Sequence, residues 1–575
     1  MEPKEAGTES DTGVSTAQGE EGSPVAIILS NAQEDGQPWK PSRDFILAFA
    51  SLSTLTLSVA FDATTLSVAL PIISQALHGT ALEAFWSGTS FLLSATVLQP
   101  SIASLSNIFG RKYMVYWSIL LFGAGSLIGG LAGNFTVLLV GRTIQGVGGG
   151  GITVLTEVIV TDLTPLQFRG QWYSMISGMW AIGTVFGPLI GSGFAENVSW
   201  RWIMYINLPI VGLGLAFVIL FLHQAKIPGG INRKLRRFDW AGSVLFTASM
   251  TAFLYGVSTG GVSSPWSSYK VLLPLLLGPV GLVIFAVYEW RYATEPIIIK
   301  GLFANWDMLN SYILTIFHGL ILWSLVYFLT LYYQGVKLYS PIGSAVSVLP
   351  ETLTVAPAGM AVGIIAAKTG HYRWSLWGGW VLTTAGAGLL WLLQPQTTIA
   401  QWIFINLPIG IGTGMLFPAQ ALSIQAACEP EFNGQASAFY SFLRGVGQSI
   451  GVAISGVIFQ NVFRQKLSGL PAFADVADEY SRDATIVVGV IKAMPETEDR
   501  KDLIKAYADS LRIIWISLMA FGAVGMFLSV TIRGYTLNRV HVTQQPLVGR
   551  SGVGEVNEAS RTEAGRAVEE KDSSS

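Results

Sequence analysis

Five ionisable side chains stand in stretches that otherwise carry almost no charge: Asp62, Arg142, Glu157, His318 and Arg444. Glu351 is a sixth candidate, between Pro350 and Pro357. A charge inside an apolar run is costly and normally faces a packed interior or a water-filled path. Asp62 lies about eight residues, roughly 12 Å, from one end of its run. Arg142 lies about seven residues, roughly 10 Å, from the same end of its own run. The matched depths allow the two to pair, with Arg142 holding the carboxylate ionised until a proton or another ligand releases it. The alternative is a static structural ion pair. Glu157 is fifteen residues beyond Arg142, about 22 Å deeper. It could meet a cation such as Arg111 at the opposite end, or be solvated there. His318 and Arg444 each lie about 14 Å from that opposite end, near the middle of their runs. Imidazole titrates near physiological pH, so His318 could hold a proton or ligand, or simply bond a neighbouring helix.

These groups matter because so little else is charged. Only 12% of the 575 residues are Asp, Glu, Lys or Arg, whereas 51% are hydrophobic and mean hydropathy is +0.50. Soluble globular chains carry about twice that charge. Gly (63) and Trp (18) are abundant, as in membrane helices and at their interfaces. A net charge of −2 gives no nucleic-acid surface, and the single Cys428 excludes a disulfide framework. With about 20 apolar residues needed per crossing, candidate spans fall near 45–70, 85–106, 113–132, 136–160, 171–194, 202–222, 240–258, 271–290, 309–333, 343–367, 374–393, 401–427, 436–461 and 512–532. The chain is thus expected to be an all-α membrane protein of fourteen helices. Residues 1–43 and 536–575 are polar and read as disordered cytoplasmic tails.

Lys and Arg gather in short cytoplasmic loops. With the N-terminus inside, short inner loops hold Arg111, Lys112, Arg169, Lys226, Arg233, Lys234, Arg236, Arg237, Arg291, Lys300, Lys368 and Arg373. Short outer loops hold only Arg201, Lys270 and Lys337. Both termini are therefore expected in the cytoplasm. The sequons at Asn134 and Asn197 then face outside, close to the membrane. Residues 462–511 form a long outer loop, in which Asp502–Leu511 suits a short surface helix.

A shift of 264 residues aligns the fourth and fifth spans with the twelfth and thirteenth. Gly146, Gly148 and Gly150 fall on Gly410, Gly412 and Gly414. The register continues through Phe168/Phe432, Gly170/Gly434, Gln171/Gln435, Ser177/Ser441, Gly183/Gly447, Gly187/Gly451 and Ile190/Ile454. Eight spans separate the copies, an even number, so the repeats run parallel, as in one known transporter architecture. The organisation is then a six-helix half over 44–222, two inserted helices with a basic loop over 223–300, and a second six-helix half over 301–535.

Five motifs in order give the sequence a family resemblance. They are Phe61-Asp-Ala-Thr-Thr-Leu-Ser-Val-Ala-Leu-Pro71, Ala103-Ser-Leu-Ser-Asn-Ile-Phe-Gly-Arg-Lys112, Arg142-Thr-Ile-Gln-Gly146, Gly183-Thr-Val-Phe-Gly-Pro-Leu-Ile-Gly191 and Trp200-Arg-Trp-Ile-Met-Tyr-Ile-Asn-Leu-Pro209. Over about residues 45–535 the chain resembles the major facilitator superfamily, in particular its fourteen-helix drug:proton antiporter branch of fungi. The second motif departs from the family pattern: Ala103 replaces Gly, Asn107 replaces Asp and Ile108 replaces Arg. The resemblance implies proton coupling at Arg142 with Gln145, and a conformational role for Asn107, Gly110, Arg111 and Lys112. It also attaches antiport to Gly183, Gly187, Pro188 and Gly191. Glycines every fourth residue let helices approach closely and Pro188 should bend the span, so this stripe is expected to seal the interface between halves. Asp62, His318 and Arg444 complete the expected coupling groups, with Glu157 as a gate.

The expected activity is efflux of a small organic compound, drug or toxin against proton entry, by a monomer in the plasma membrane, or alternatively the vacuolar membrane. A proton-coupled symporter, a vacuolar basic amino-acid or siderophore transporter, and a transporter-like receptor are rival readings. No cofactor or metal is expected, since the five histidines do not cluster and no Walker Gly-Lys-Ser/Thr occurs. Gly146–Gly151 and Gly447–Gly451 imitate dinucleotide and nucleophile-elbow motifs, but both lie within apolar spans. An enzyme is therefore not expected. Trp180, Phe317, Trp323 and Tyr327 could line a pocket or pack helices.

Overall fold

A computed structural model describes residues 27–29, 39–66, 69–261, 264–481, 484–539, 541–543 and 545–547. Twelve helices in it are each long and apolar enough to cross a bilayer. A bent pair, Trp86–Val97 and Gln99–Phe109, angled by 44°, passes the same test when its two helices are taken together. The remaining apolar stretch is the 17-residue helix Arg373–Leu389, continued by the 3-10 turn Leu390–Leu392. Fourteen segments are consistent with this set. They are numbered below in chain order.

Polar residues at the ends start the helices. Asn134 accepts a hydrogen bond from the Val137 amide at 2.9 Å, opening segment 4 (Phe135–Leu163). Thr398 and Gln401 form a capping box that opens segment 12 (Ile399–Ala427), satisfying amide donors that a helix start leaves free. The caps and both helix ends of segments 4 and 12 differ by the same 264 residues that align their sequences. Duplication is thus visible in the backbone as well as in composition.

Close packing repeats in the same register. A Cβ on Gly146 or Gly150 would lie 2.4 Å from the Phe91 carbonyl oxygen or 2.0 Å from that of Ala95, in segment 2. A Cβ on Gly410 or Gly414 would lie 2.2 or 2.3 Å from the carbonyl oxygens of Glu351 and Val355, in segment 10 (Pro341–Thr369). Only glycine permits either approach. The Gly-rich run that imitates a nucleotide loop is a helix-packing surface. The stripe at Gly183 and Gly187 in segment 5 (Leu166–Asn197) corrects an expectation, because it does not seal the two halves. It packs within the first half on segment 1 (Arg43–Thr65), against Ala60 and Thr64, and the Gly183 carbonyl accepts from the Thr64 hydroxyl at 2.8 Å. The equivalent Gly447 and Gly451 pack on Ile316 and Leu320 of segment 9 (Trp306–Gly335). That contact register places His318 where segment 1 has Asp62.

Segments 7 (Trp240–Thr259) and 8 (Tyr269–Arg291) pack together beside the seam. Ser243 meets Ser101 at 2.9 Å on one side, and Phe246 meets Phe442 at 5.5 Å on the other. Two polar stretches depart from the sequence reading. The stretch over 462–511 carries helices Ala477–Ser481 and Ala484–Ala493, and Asp502–Leu511 belongs to the long helix Glu498–Thr531 (segment 14) rather than to a separate surface helix. The C-terminal tail is ordered at His541–Thr543, a strand paired antiparallel with Ile27–Leu29. His541 and Gln545 are buried. Averaged composition hid this short alternating run, whose strand needs only a few polar anchors. Positions 540, 544 and 548–575, and most of 1–38, lie outside the described residues.

Candidate coupling and gating site

Two buried ion pairs organise the interior. Near one end of segment 4, Arg142 Nη1 donates to Asp62 Oδ2 at 2.5 Å and to Gln145 Oε1 at 2.6 Å. The other carboxylate oxygen of Asp62 accepts from Gln145 Nε2 and Asn207 Nδ2, both at 2.8 Å. Arg142 also donates Nε to the Ser87 carbonyl at 3.0 Å and lies 4.3 Å from the centre of the Phe91 ring. Every one of these residues belongs to the first half. Asp62 and Arg142 are each 1% exposed, so their mutual charge, with those amides, replaces lost water.

The second pair crosses the seam. Glu157 lies further along segment 4, and its Oε1 accepts from Arg444 Nη2 of segment 13 (Asn433–Ser468). Arg444 stacks 4.6 Å from the Phe417 ring centre and 4.9 Å from that of Tyr440. The suggested Glu157–Arg111 contact does not form. Arg111 instead bonds Asp162, five residues beyond Glu157, at 3.0 Å, and also Asn107 and Ser106. One and a half helical turns separate the two carboxylates along segment 4, which directs them to different cations. The neutral Asn107 accepts from Arg111, and Asp162 supplies the charge.

The Arg111 loop marks a basic end, and there the halves are tied together. Arg169 donates to Gln425 at 2.8 Å, and Gln167 to the Ala367 carbonyl at 2.5 Å. Tyr173 contacts Ser437 at 2.5 Å and accepts from Gln425 Nε2 at 3.0 Å. Tyr173 and Ser437 are 264 residues apart, so equivalent positions of the two repeats meet across the seam. The C-terminal strand lies over this closure. His541 bonds Arg169 at 3.2 Å and the Asp162 carbonyl at 2.9 Å, while Gln545 Oε1 accepts from the Arg111 amide at 2.7 Å.

Above the ties lies a cavity of about 100 Å³ lined by both halves. Its polar wall includes Gln99, Ser177, Glu351 and Arg444, and its apolar wall includes Phe91, Trp180 and Trp323. Trp180 and Trp323 meet edge to face at 5.9 Å across the seam. Two parallel repeats around a central cavity, closed at the basic end, are the geometry of a carrier. A family model for the Major Facilitator Superfamily matches residues 52–452. The chain belongs to this superfamily.

Its relatives extend the match to nearly nine tenths of the chain. The chain is 46% identical to MFS transporter L2 of a Phoma species, over 88% of this chain and 85% of that protein. It is 34% identical to Efflux pump FUS6 of Gibberella moniliformis, over 89% and 92%. It is 36% identical to MFS-type efflux pump LUC4 of a Fusarium species, over 88% and 90%. The fold matches the human organic anion transporter MFSD10 with a TM-score of 0.52 at 14% identity, covering 85% of this chain and all of that one. The proton:xylose symporter XylE gives 0.51 at 13% identity, over 87% and 98%.

The other expected positions fall into place around this frame. His318 is buried with Nε2 against the Thr413 carbonyl at 3.1 Å, inside the second half. Gly110 adopts φ 103° at the turn between segment 2 and segment 3 (Arg111–Gly130), a conformation that favours glycine. Lys112 lies 5.8 Å from the Tyr116 ring centre, and Pro188 and Gly191 lie within segment 5. Sequence reading missed several partners. Asn207 stands in a quoted motif that gives it no role, and Tyr173 and Ser437 are equivalent only through the repeat. Gln425, Asp162 and His541 carried no signal beyond their type.

Proposed function

We propose that this transporter exports a small organic compound in exchange for protons by rocking two six-helix halves, 44–222 and 301–535, around the central cavity. The observation that carries the reading is the cavity itself. Both halves supply its wall, it combines aromatic surface with a few polar groups, and the bonds across the seam gather at its basic end. Breaking those bonds would open it on that side. The efflux names of several relatives favour the outward direction. The loop charges favour a multi-pass arrangement with both termini in the cytoplasm, in the plasma membrane. The energy source in this reading is the proton gradient, with no bound cofactor, and the working unit is a monomer.

Asp62, Arg142, Gln145, His318 and Arg444 form the coupling set. Asn107, Gly110, Arg111, Lys112 and Glu157 govern closure at the basic end, while Gly183 and Gly187 hold segment 5 on segment 1, with Pro188 and Gly191 further along the same helix. The decisive test is movement of a panel of toxic organic compounds in vesicles containing the full chain, with and without an imposed proton gradient. Export that rises with the gradient supports antiport. Gradient-driven movement in the same direction as protons would make the protein a symporter, and transport indifferent to the gradient would end the coupling claim.

A further inference from the structure

Glu351 is the acid that the two ion pairs leave over. It is 1% exposed and lines the central cavity. Its Oε2 accepts from the Thr352 hydroxyl at 3.0 Å. Its Oε1 has no hydrogen-bond partner, and no cation lies within ion-pair distance, among the described residues. Asp62 is the opposite case, because both its oxygens are occupied by Arg142, Gln145 and Asn207. An unpaired carboxylate removed from water is expensive, whereas a neutral carboxylic acid is far less so.

The repeat shows what is unusual here. Gly146 packs on the Phe91 carbonyl and Gly410 on the Glu351 carbonyl, so Glu351 occupies in the second half the position that Phe91 holds in the first. Phe91 backs the Arg142 guanidinium. In the second half the position of Arg142 is Asn406, which bonds the Tyr333 hydroxyl at 2.6 Å. The duplicated frame therefore places a carboxyl where its other copy has a ring, without an arginine to neutralise it. Segment 10 also contains Pro350 and Pro357, each of which removes a backbone donor and loosens the helix around Glu351.

We infer that Glu351 is the proton-carrying carboxyl of this transporter. This rests on the proton-coupled reading above and names the group that serves it. An O–H bond forms at Oε1 when the cavity faces the proton-rich side, with the proton taken from water there. The same bond breaks, returning the proton to water on the basic side, once the seam opens. One proton thus moves inward for each protonation cycle, with substrate moving the other way. The groups that face Glu351 are few. Tyr333 comes from segment 9, and Arg444 reaches the cavity from segment 13, already engaged by Glu157. Segment 12 contains no ionisable side chain, and the facing turns of segment 5 from Ser177 to Thr184 contain none either.

Infrared difference spectroscopy tests this on the full chain in lipid while pH is stepped. The readout is the C=O stretch of a protonated, buried carboxyl. Wild type should show the band and lose it as pH rises. Glu351→Gln should lack it, and Glu351→Asp should restore it at a shifted pH. A wild type without the band, or a band unchanged in Glu351→Gln, overturns the assignment. In vesicles, the pH profile of transport should flatten in Glu351→Gln relative to wild type, and an unchanged profile counts against the assignment. Wild-type transport that ignores the gradient would defeat antiport itself, while the infrared titration would still report whether Glu351 binds the proton.

Discussion

The Asp62–Arg142 pair and the Glu157–Arg444 pair share segment 4 but bind different bodies. The first joins segments 1 and 4 of one half, with Asn207 of segment 6 (Arg201–Phe221) adding a further donor. The second joins segment 4 to segment 13 of the other half. Rigid rocking of the halves preserves the first pair and must break the second. In the proposed rocking, one helix therefore carries a brace that the motion leaves intact at one end and a latch that it releases nearer the other. Buried ion pairs are poor sources of net stability, yet removing one partner strands a charge at a cost of about 3–5 kcal/mol. The brace imposes that cost on folding, and the latch imposes it on one conformation only.

The sharpest way to break the comparison is Arg142→Met. It leaves Asp62 buried with only neutral donors, so thermal unfolding in detergent should show a loss of about 3–5 kcal/mol. Replacing both partners, as Asp62→Asn with Arg142→Gln, should recover much of this stability because no charge is stranded. A single variant as stable as wild type would show that the first pair is not a brace.

The brace was also the more legible pair. Helix rise alone put Asp62 and Arg142 at one depth, since both positions are counted from nearby span ends. The latch was not legible, because it depends on how two halves meet, and no sequence spacing records that distance. Glu157 was matched to Arg111 only as a cation at the same end, and Asp162 was nearer. The repeat was the missing guide: Tyr173 and Ser437 occupy equivalent positions, and such positions meet where a twofold-like axis crosses the seam. The glycine stripe failed for a related reason. Small residues announce a close helix contact, but Gly183 and Gly187 do not say which neighbour makes it. The apolar runs of the twelve helices long enough to cross were plain, because the bilayer's demand for length is local.

Glu157→Gln addresses the latch with a smaller effect. It keeps the shape but turns an ion pair into a hydrogen bond from the charged guanidinium to a neutral amide, worth about 1.5–3 kcal/mol. The closed basic end should lose population without comparable loss of fold stability. Spin labels at the exposed Tyr113 and Lys368, one on each half, would report this as a growing long-distance component. An unchanged distance distribution combined with a drop in unfolding temperature would assign this pair to the brace class instead.

The smallest expected effect separates the latch from the strand laid over it. Burial, reinforced by the Arg169 guanidinium, pushes His541 down to about 4 from its ordinary 6.5. The undocked strand therefore binds a proton between about pH 6.5 and 4 that the docked strand refuses, so docking is favoured above that window and weakens as pH falls through it. At pH 5.5, one unit below the free value, the docking equilibrium should drop about tenfold, or about 1.4 kcal/mol. Hydrogen exchange at His541–Thr543, compared as protection factors at pH 7.5 and 5.5, reads this directly. His541→Gln should remove the pH dependence while the Arg169–Gln425 tie remains. If acid loosens the strand and also separates the Tyr113 and Lys368 labels, strand and latch act as one closure. If the strand loosens while the labels stay close, Glu157–Arg444 holds the basic end by itself, and the ordered tail is an accessory laid on a gate already shut.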